Sequence, residues 1–153
     1  MNKVVICHKY EQYKDSGIEW IGEIPQDWNI VTLKRVFSDR CGGAWGEDVK
    51  HNEFDRICIR IADFDYPKMS IKKDVEYTKR NYTPDVIAKL TLQNNDILIE
   101  KSGGGEQTPV GRTIIFNENF EALYANFMDR LRVRTNNVPK FIQYTLNSFY
   151  QNG

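Results

Sequence analysis

The sequence is short of several things, and each shortage closes off a class of protein. No stretch approaches the ~20 consecutive apolar residues that cross a bilayer. The opening, Met1-Asn-Lys-Val-Val-Ile-Cys-His-Lys9, has too brief an apolar run for a secretory signal, so no membrane partner is expected and the expected location is the cytoplasm. Cysteine is scarce: Cys7, Cys41 and Cys58 are an odd, widely spaced set with no Cys-x-x-Cys clip, which reads as reduced thiols rather than a disulfide framework. Cys41, His51 and Cys58 match no common spacing of zinc ligands and lack an evident fourth, so they read as buried or incidental side chains. The 2 histidines, His8 and His51, have no nucleophile or carboxylate motif beside them, which leaves hydrolytic or acid–base chemistry without support. An excess of one charge is also missing, because 21 Lys plus Arg balance 21 Asp plus Glu. The simplest sign of a nucleic-acid partner, a strongly basic domain, is therefore absent, and any such partner must be met by a local patch. There is no internal repeat, low-complexity tract or Gly-rich dinucleotide fingerprint, and no cofactor is expected.

What is present is enough for one packed domain. A length of 153 residues with 41% hydrophobic side chains suits a single core rather than two, and is too apolar for a disordered tail. Charge is distributed unevenly along the chain. Residues 1–55 hold 7 basic and 10 acidic residues (−3), 56–112 hold 10 and 8 (+2), and 113–153 hold 4 and 3 (+1). In the basic middle, Lys68, Lys72, Lys73, Lys79, Arg80 and Lys89 stand among Tyr66, Tyr77 and Tyr82, a run that a solvated face explains as well as a phosphate-binding one.

The hydrophobic patterning predicts an α+β domain: a twisted, mostly antiparallel or mixed β-sheet with short helices, long loops and a C-terminal amphipathic helix. Residues 29–37 read as a short strand running into a helical turn. Residues 56–62 alternate Ile57, Ile59 and Ile61 with Cys58 and Arg60, the pattern of a half-buried strand. Residues 96–101 and 112–116 are β-rich runs, and 129–135 alternate Leu131 and Val133 with Arg130, Arg132 and Arg134. Thr83 and Pro84 suit the start of a short helix to Leu90, and Pro139 that of a terminal helix presenting Phe141, Ile142, Thr145, Leu146 and Phe149 on one face.

The most conspicuous segment is Glu100-Lys-Ser-Gly-Gly-Gly-Glu-Gln-Thr-Pro-Val-Gly-Arg112. Consecutive glycines let backbone N–H groups approach a phosphate or base edge closely. It is not a P-loop: the spacing is too long, Arg112 replaces the lysine, and a strand follows where a helix is needed. What remains is strand, loop, strand, either a plain hairpin connection or a surface of hydrogen-bond donors. A metal-dependent nuclease needs an acid and a lysine separated by one residue on one strand face. Glu100 and Lys101 are adjacent, so alternation sends them to opposite faces.

Residues 13–28 have a further particularity. Trp20 and Trp28 bracket Gly22, Ile24 and Pro25, so two indoles can clasp an irregular segment against a small core. Tyr13-Lys-Asp-Ser-Gly17, followed by Trp20-Ile-Gly-Glu-Ile-Pro-Gln-Asp-Trp28, closely resembles the opening of target recognition domains in specificity subunits of type I restriction-modification systems. Ile59-Arg60-x-x-Asp63, the run from Leu92 to Glu100, the Gly-rich stretch 101–112, Ala125 to Leu131 and Val138 to Tyr144 resemble later elements of that family in order. The resemblance implies a domain over residues 10–153 behind an unmatched leader, residues 1–9. In that family each such domain reads one half of a split DNA target, two are spaced by long antiparallel helices, and the subunit, itself non-catalytic, directs methyltransferase and restriction subunits. The sequence ends where the first spacer helix of the family would begin.

The leading expectation is thus a sequence-specific reader of double-stranded DNA. Lys101, Ser102, Gly103, Gly104, Gly105, Gln107, Thr108 and Arg112 are the candidates for base contacts, since Arg or Lys suits guanine and Gln suits adenine. Lys72, Lys73, Lys79 and Arg80 are the candidates for phosphate contacts, and Arg60 is a weaker one because Asp63 can pair with it. Competing readings are an interaction module that binds or inhibits a restriction complex without reading DNA, and, third, a small metal-dependent nuclease.

Overall fold

Three-residue strands β1 (Tyr13–Asp15) and β2 (Glu23–Pro25) pair antiparallel, with Lys14 opposite Ile24. Between them the chain turns at Gly17, whose N–H donates to the Asp15 carboxylate at 2.8 Å, and closes where Ser16 N–H meets the Gly22 carbonyl at 3.0 Å. Ile24 is buried, while Trp28 is partly exposed and meets Tyr10 edge to face. This computed structural model describes residues 10–19, 21–103 and 110–152; the indole pair expected of Trp20 and Trp28 therefore lies partly outside the described residues. The chain divides into two compact units, residues up to Arg35 and Val36 onward. One helical turn, α1 (Leu33–Val36), crosses the division.

The larger unit runs β3 (Phe37–Gly42), β4 (Asp55–Ile59), a 3₁₀ turn (Ile61–Asp63), β5 (Phe64–Asp65), β6 (Ser70–Ile71), β7 (Lys79–Asn81), α2 (Pro84–Leu90), β8 (Asp96–Glu100), β9 (Thr113–Phe116), β10 (Ala122–Tyr124), β11 (Met128–Val133) and α3 (Pro139–Asn152). A four-stranded antiparallel sheet has the order β3-β11-β8-β9. A second sheet, β10-β4-β7, joins β10 to β4 in parallel and β4 to β7 antiparallel. The expected α+β class is the one observed, with mixed sheets and a C-terminal helix.

The four-stranded sheet is covered on both faces, which explains why β8 and β9 read as nearly unbroken apolar runs. Leu98, Ile114, Phe116 and Met128 turn into the main core with Cys58, Ile59, Phe64, Ile71 and Tyr124. Ile97 and Leu131, on the other face, meet Val36 and Ile142 of α3.

Several local expectations shift. In residues 29–37 the helical turn precedes the strand rather than following it. The strand expected over 56–62 stops at Ile59, and Cys58 and Ile59, which alternate between its faces, are both fully buried in the main core. On α3, Phe141 and Phe149 are exposed, and buried Gln143 faces inward beside Ile142, donating to the Met69 carbonyl at 2.8 Å.

Candidate nucleic-acid interface

The Gly-rich connection leaves β8 at Glu100 and rejoins the sheet at Thr113, so the sheet's hairpin register sets what its two ends can do. Glu100 N–H donates to the Arg112 carbonyl at 3.0 Å. The Arg112 guanidinium returns a two-pronged ion pair to Glu100, at 2.8 and 3.1 Å. Only 1% of the Glu100 side chain is exposed, and Arg112 lies over the Tyr66 ring at 4.1 Å. Hydrogen bonding to the Glu100 carboxylate holds the guanidinium even more firmly protonated than usual. The Nε–Nη2 edge of the guanidinium is thus engaged at the neck of the loop.

Lys101 leaves the opposite face of the sheet, as strand alternation requires. Its Nζ donates to the Asp129 carboxylate at 2.7 Å, and Arg40 Nε of β3 approaches the other oxygen of the same group at 2.8 Å. Two cations sharing one buried carboxylate leave a surplus positive charge at this corner. Burial pushes the Asp129 carboxyl up, but hydrogen bonds from Lys101 and Arg40 outweigh it and hold the group below the ordinary carboxylate range. A folded pKa below the unfolded value of about 3.9 makes this stabilisation complete above that pH and lost as pH falls through the folded pKa. Substituting Asp129→Asn is expected to remove that part, so the urea midpoint of the variant declines less than wild type between about pH 6 and pH 3. An equal decline in both proteins would place the acid sensitivity elsewhere.

Gly103, with φ +93°, has the Ile61 and Phe127 side chains about it, each 3.9–4.0 Å from where a Cβ would stand. The candidates Gly104, Gly105, Gln107 and Thr108 lie outside the described residues, and Ser102 is half-buried. Arg60 pairs with Asp63, at 3.0 Å from its Nη2, while also lining a shallow concavity with Tyr77, Thr78 and Lys79.

The four phosphate candidates do not form one row. Lys72 reaches the Ala62 carbonyl at 2.7 Å beside the 3₁₀ turn and makes no ion pair among the described residues. Lys79 is exposed on β7 and has no ion pair among the described residues. Lys73 is bound to the Glu118 carboxylate, and Arg80 to Asp48 at 2.6 Å while lying over Trp45. Arg130 and Arg132, expected on a polar strand face, are tucked in by Asp39 and by a two-pronged bond to Asp96. Sequence patterning does not single out Arg40 or Phe127. Arg40 gains its place only through the pairing of β3 with β11, although Phe127 stands in the Ala125–Leu131 stretch that carries part of the family resemblance.

No group of three or more His, Cys, Asp or Glu side chains able to hold a metal occurs among the described residues, and no helix among them is long and apolar enough to cross a membrane. No family model and no curated protein matches the sequence. Solved structures do. A chain from a structure of the type I R-M system, concerned with complex assembly and conformational transition, superposes with a TM-score of 0.55 at 18% identity, covering 81% of this chain and 28% of that one. The HsdS subunit from Thermoanaerobacter tengcongensis superposes with a TM-score of 0.52 at 17% identity, covering 88% and 30%. The fold is that of part of a type I specificity subunit. The present chain spans less than a third of either of these specificity-subunit chains.

Proposed function

We propose that this chain is a sequence-specific DNA recognition domain of a type I restriction-modification specificity subunit. It reads one half of a bipartite target and directs the methyltransferase and restriction subunits of its system, without catalysis of its own. The observation that carries this reading is the shared fold, joined to a glycine-rich loop whose root holds Lys101, which shares Asp129 with Arg40. Lys101, Ser102, Gly103, Gly104, Gly105, Gln107 and Thr108 supply base contacts, and Arg112 supports the loop from its neck. Among the phosphate candidates Lys72 and Lys79 are the ones available, whereas Lys73 and Arg80 would first have to leave Glu118 and Asp48.

Fluorescence-anisotropy titration against mixed-sequence duplex over a range of salt tests DNA binding directly. The logarithm of affinity should fall linearly with the logarithm of salt, and Lys72→Ala or Lys79→Ala should each flatten the slope by about 0.9. Gln107→Ala should leave that nonspecific slope unchanged and weaken preference for the cognate sequence by about 1–3 kcal/mol.

A second reading, the interaction module, is favoured by the pairing of so many basic side chains with carboxylates, as at Arg56, Lys73, Arg80, Arg112, Arg130 and Arg132. It predicts no saturable, salt-dependent DNA binding at all.

A further inference from the structure

We propose that Phe127 is an apolar wedge that enters a base step of the bound duplex. This inference rests on the DNA-reading role above and names how that same site engages its ligand. Phe127 sits in the tight turn between β10 and β11, flanked by buried Ala125 and Met128, yet it is 47% exposed itself. The turn is not loose. Met128 N–H donates to the Ala125 carbonyl at 3.2 Å, and the Phe127 carbonyl accepts from Lys101 N–H at 3.0 Å, tying the turn to the root of the Gly-rich loop. The ring therefore projects from a fixed base, which an inserting side chain needs.

Its surroundings define the ligand. Gly103 lies between Phe127 and Ile61 and offers no side chain to cover them. Lys101, whose backbone N–H bonds the Phe127 carbonyl, and Arg60, next to Ile61 in sequence, have side chains 39% and 38% exposed, and Arg40, which shares Asp129 with Lys101, is 71% exposed. An apolar projection with partly exposed cations on the adjoining segments is complementary to a polyanion with an apolar interior, which is the cross-section of a nucleic-acid duplex: bases inside, phosphates outside. Apolar side chains of this kind wedge between base steps in DNA-bending proteins, and they do so where cations hold the flanking phosphates.

The test uses duplexes enriched by the protein from a random pool, with 2-aminopurine placed in turn at each position. Wild-type protein should raise the fluorescence at one step, where stacking is broken. Phe127→Ala should abolish that rise and weaken binding about 10-fold, whereas Phe127→Trp should retain the rise. Thermal unfolding of both variants should match wild type, because the ring is half exposed. Fluorescence that is silent at every position in a tight wild-type complex, or that persists in Phe127→Ala, overturns the wedge while leaving DNA reading intact. Failure of the wild-type protein to enrich or bind any duplex overturns both, and capture of a protein partner through this tip would replace them.

Discussion

Arg112→Ala is expected to lower the stability of the protein by about 3–5 kcal/mol, although one edge of the side chain meets solvent. The reason is the partner left behind. Glu100 is buried to 1% exposure, and its two oxygens are held by the Arg112 Nε and Nη2 groups. Breaking a buried pair from one side strands an uncompensated charge, which costs far more than the pair contributes net. The same logic predicts that Glu100→Gln combined with Arg112→Met recovers much of the loss, since neither member then carries a buried charge. Urea unfolding of the single and double variants decides between this and a screened surface pair, for which Arg112→Ala costs under about 1 kcal/mol. The pair closes the hairpin from which the Gly-rich loop springs, so Arg112→Ala should also blur base preference through loop geometry rather than through a lost base contact.

Gly43→Ala should be nearly as damaging, by about 3 kcal/mol, while Gly42→Ala beside it should cost under about 1 kcal/mol. At Gly43 the chain leaving β3 passes directly over the ends of β10 and β11, with Gly43 N–H donating to Met128 O and Ala44 N–H to Tyr124 O, both at 3.0 Å. An added Cβ there would collide with the Tyr124 and Ala125 carbonyls and come within 2.7 Å of the Tyr124 ring. None of these can yield without moving the junction of the two sheets. At Gly42 the nearest atom is Lys101 Nζ, at 2.9 Å, the end of a flexible side chain that can swing aside. For a chain of this size the Gly43 loss corresponds to a fall in Tm of roughly 6–12 °C. Equal shifts for the two variants would show that the close approach at Gly43 is not rigid.

The elements that follow a clean period are legible in the amino-acid sequence itself. β8 and β9 stand out as apolar runs between turn residues, and α2 announces itself through Thr83 and Pro84, although the Thr83 side chain makes no capping bond. The misreadings share a cause: period counts only apolar side chains and cannot see what lies across a sheet. Cys58 and Ile59 are both buried because neighbouring strands and the core enclose β4, and Arg130 is buried because Asp39, 91 residues earlier, arrives to pair with it. The same holds at the site. Lys101 is identifiable as a loop cation, but that Arg112 faces Glu100 follows from the hairpin register, and that Lys101 shares Asp129 with Arg40 follows from two separate strand pairings around β11.

A chain that reads a DNA sequence will select that sequence from a mixture, and this is open to test. Repeated selection of randomised duplexes by the purified protein, carried out at two salt concentrations and followed by sequencing, tests it most directly. One short motif should be recovered at both concentrations, more sharply at the higher, where nonspecific phosphate binding is suppressed. Duplexes retained with no enriched motif at either concentration, or no duplex retained at all, would contradict it.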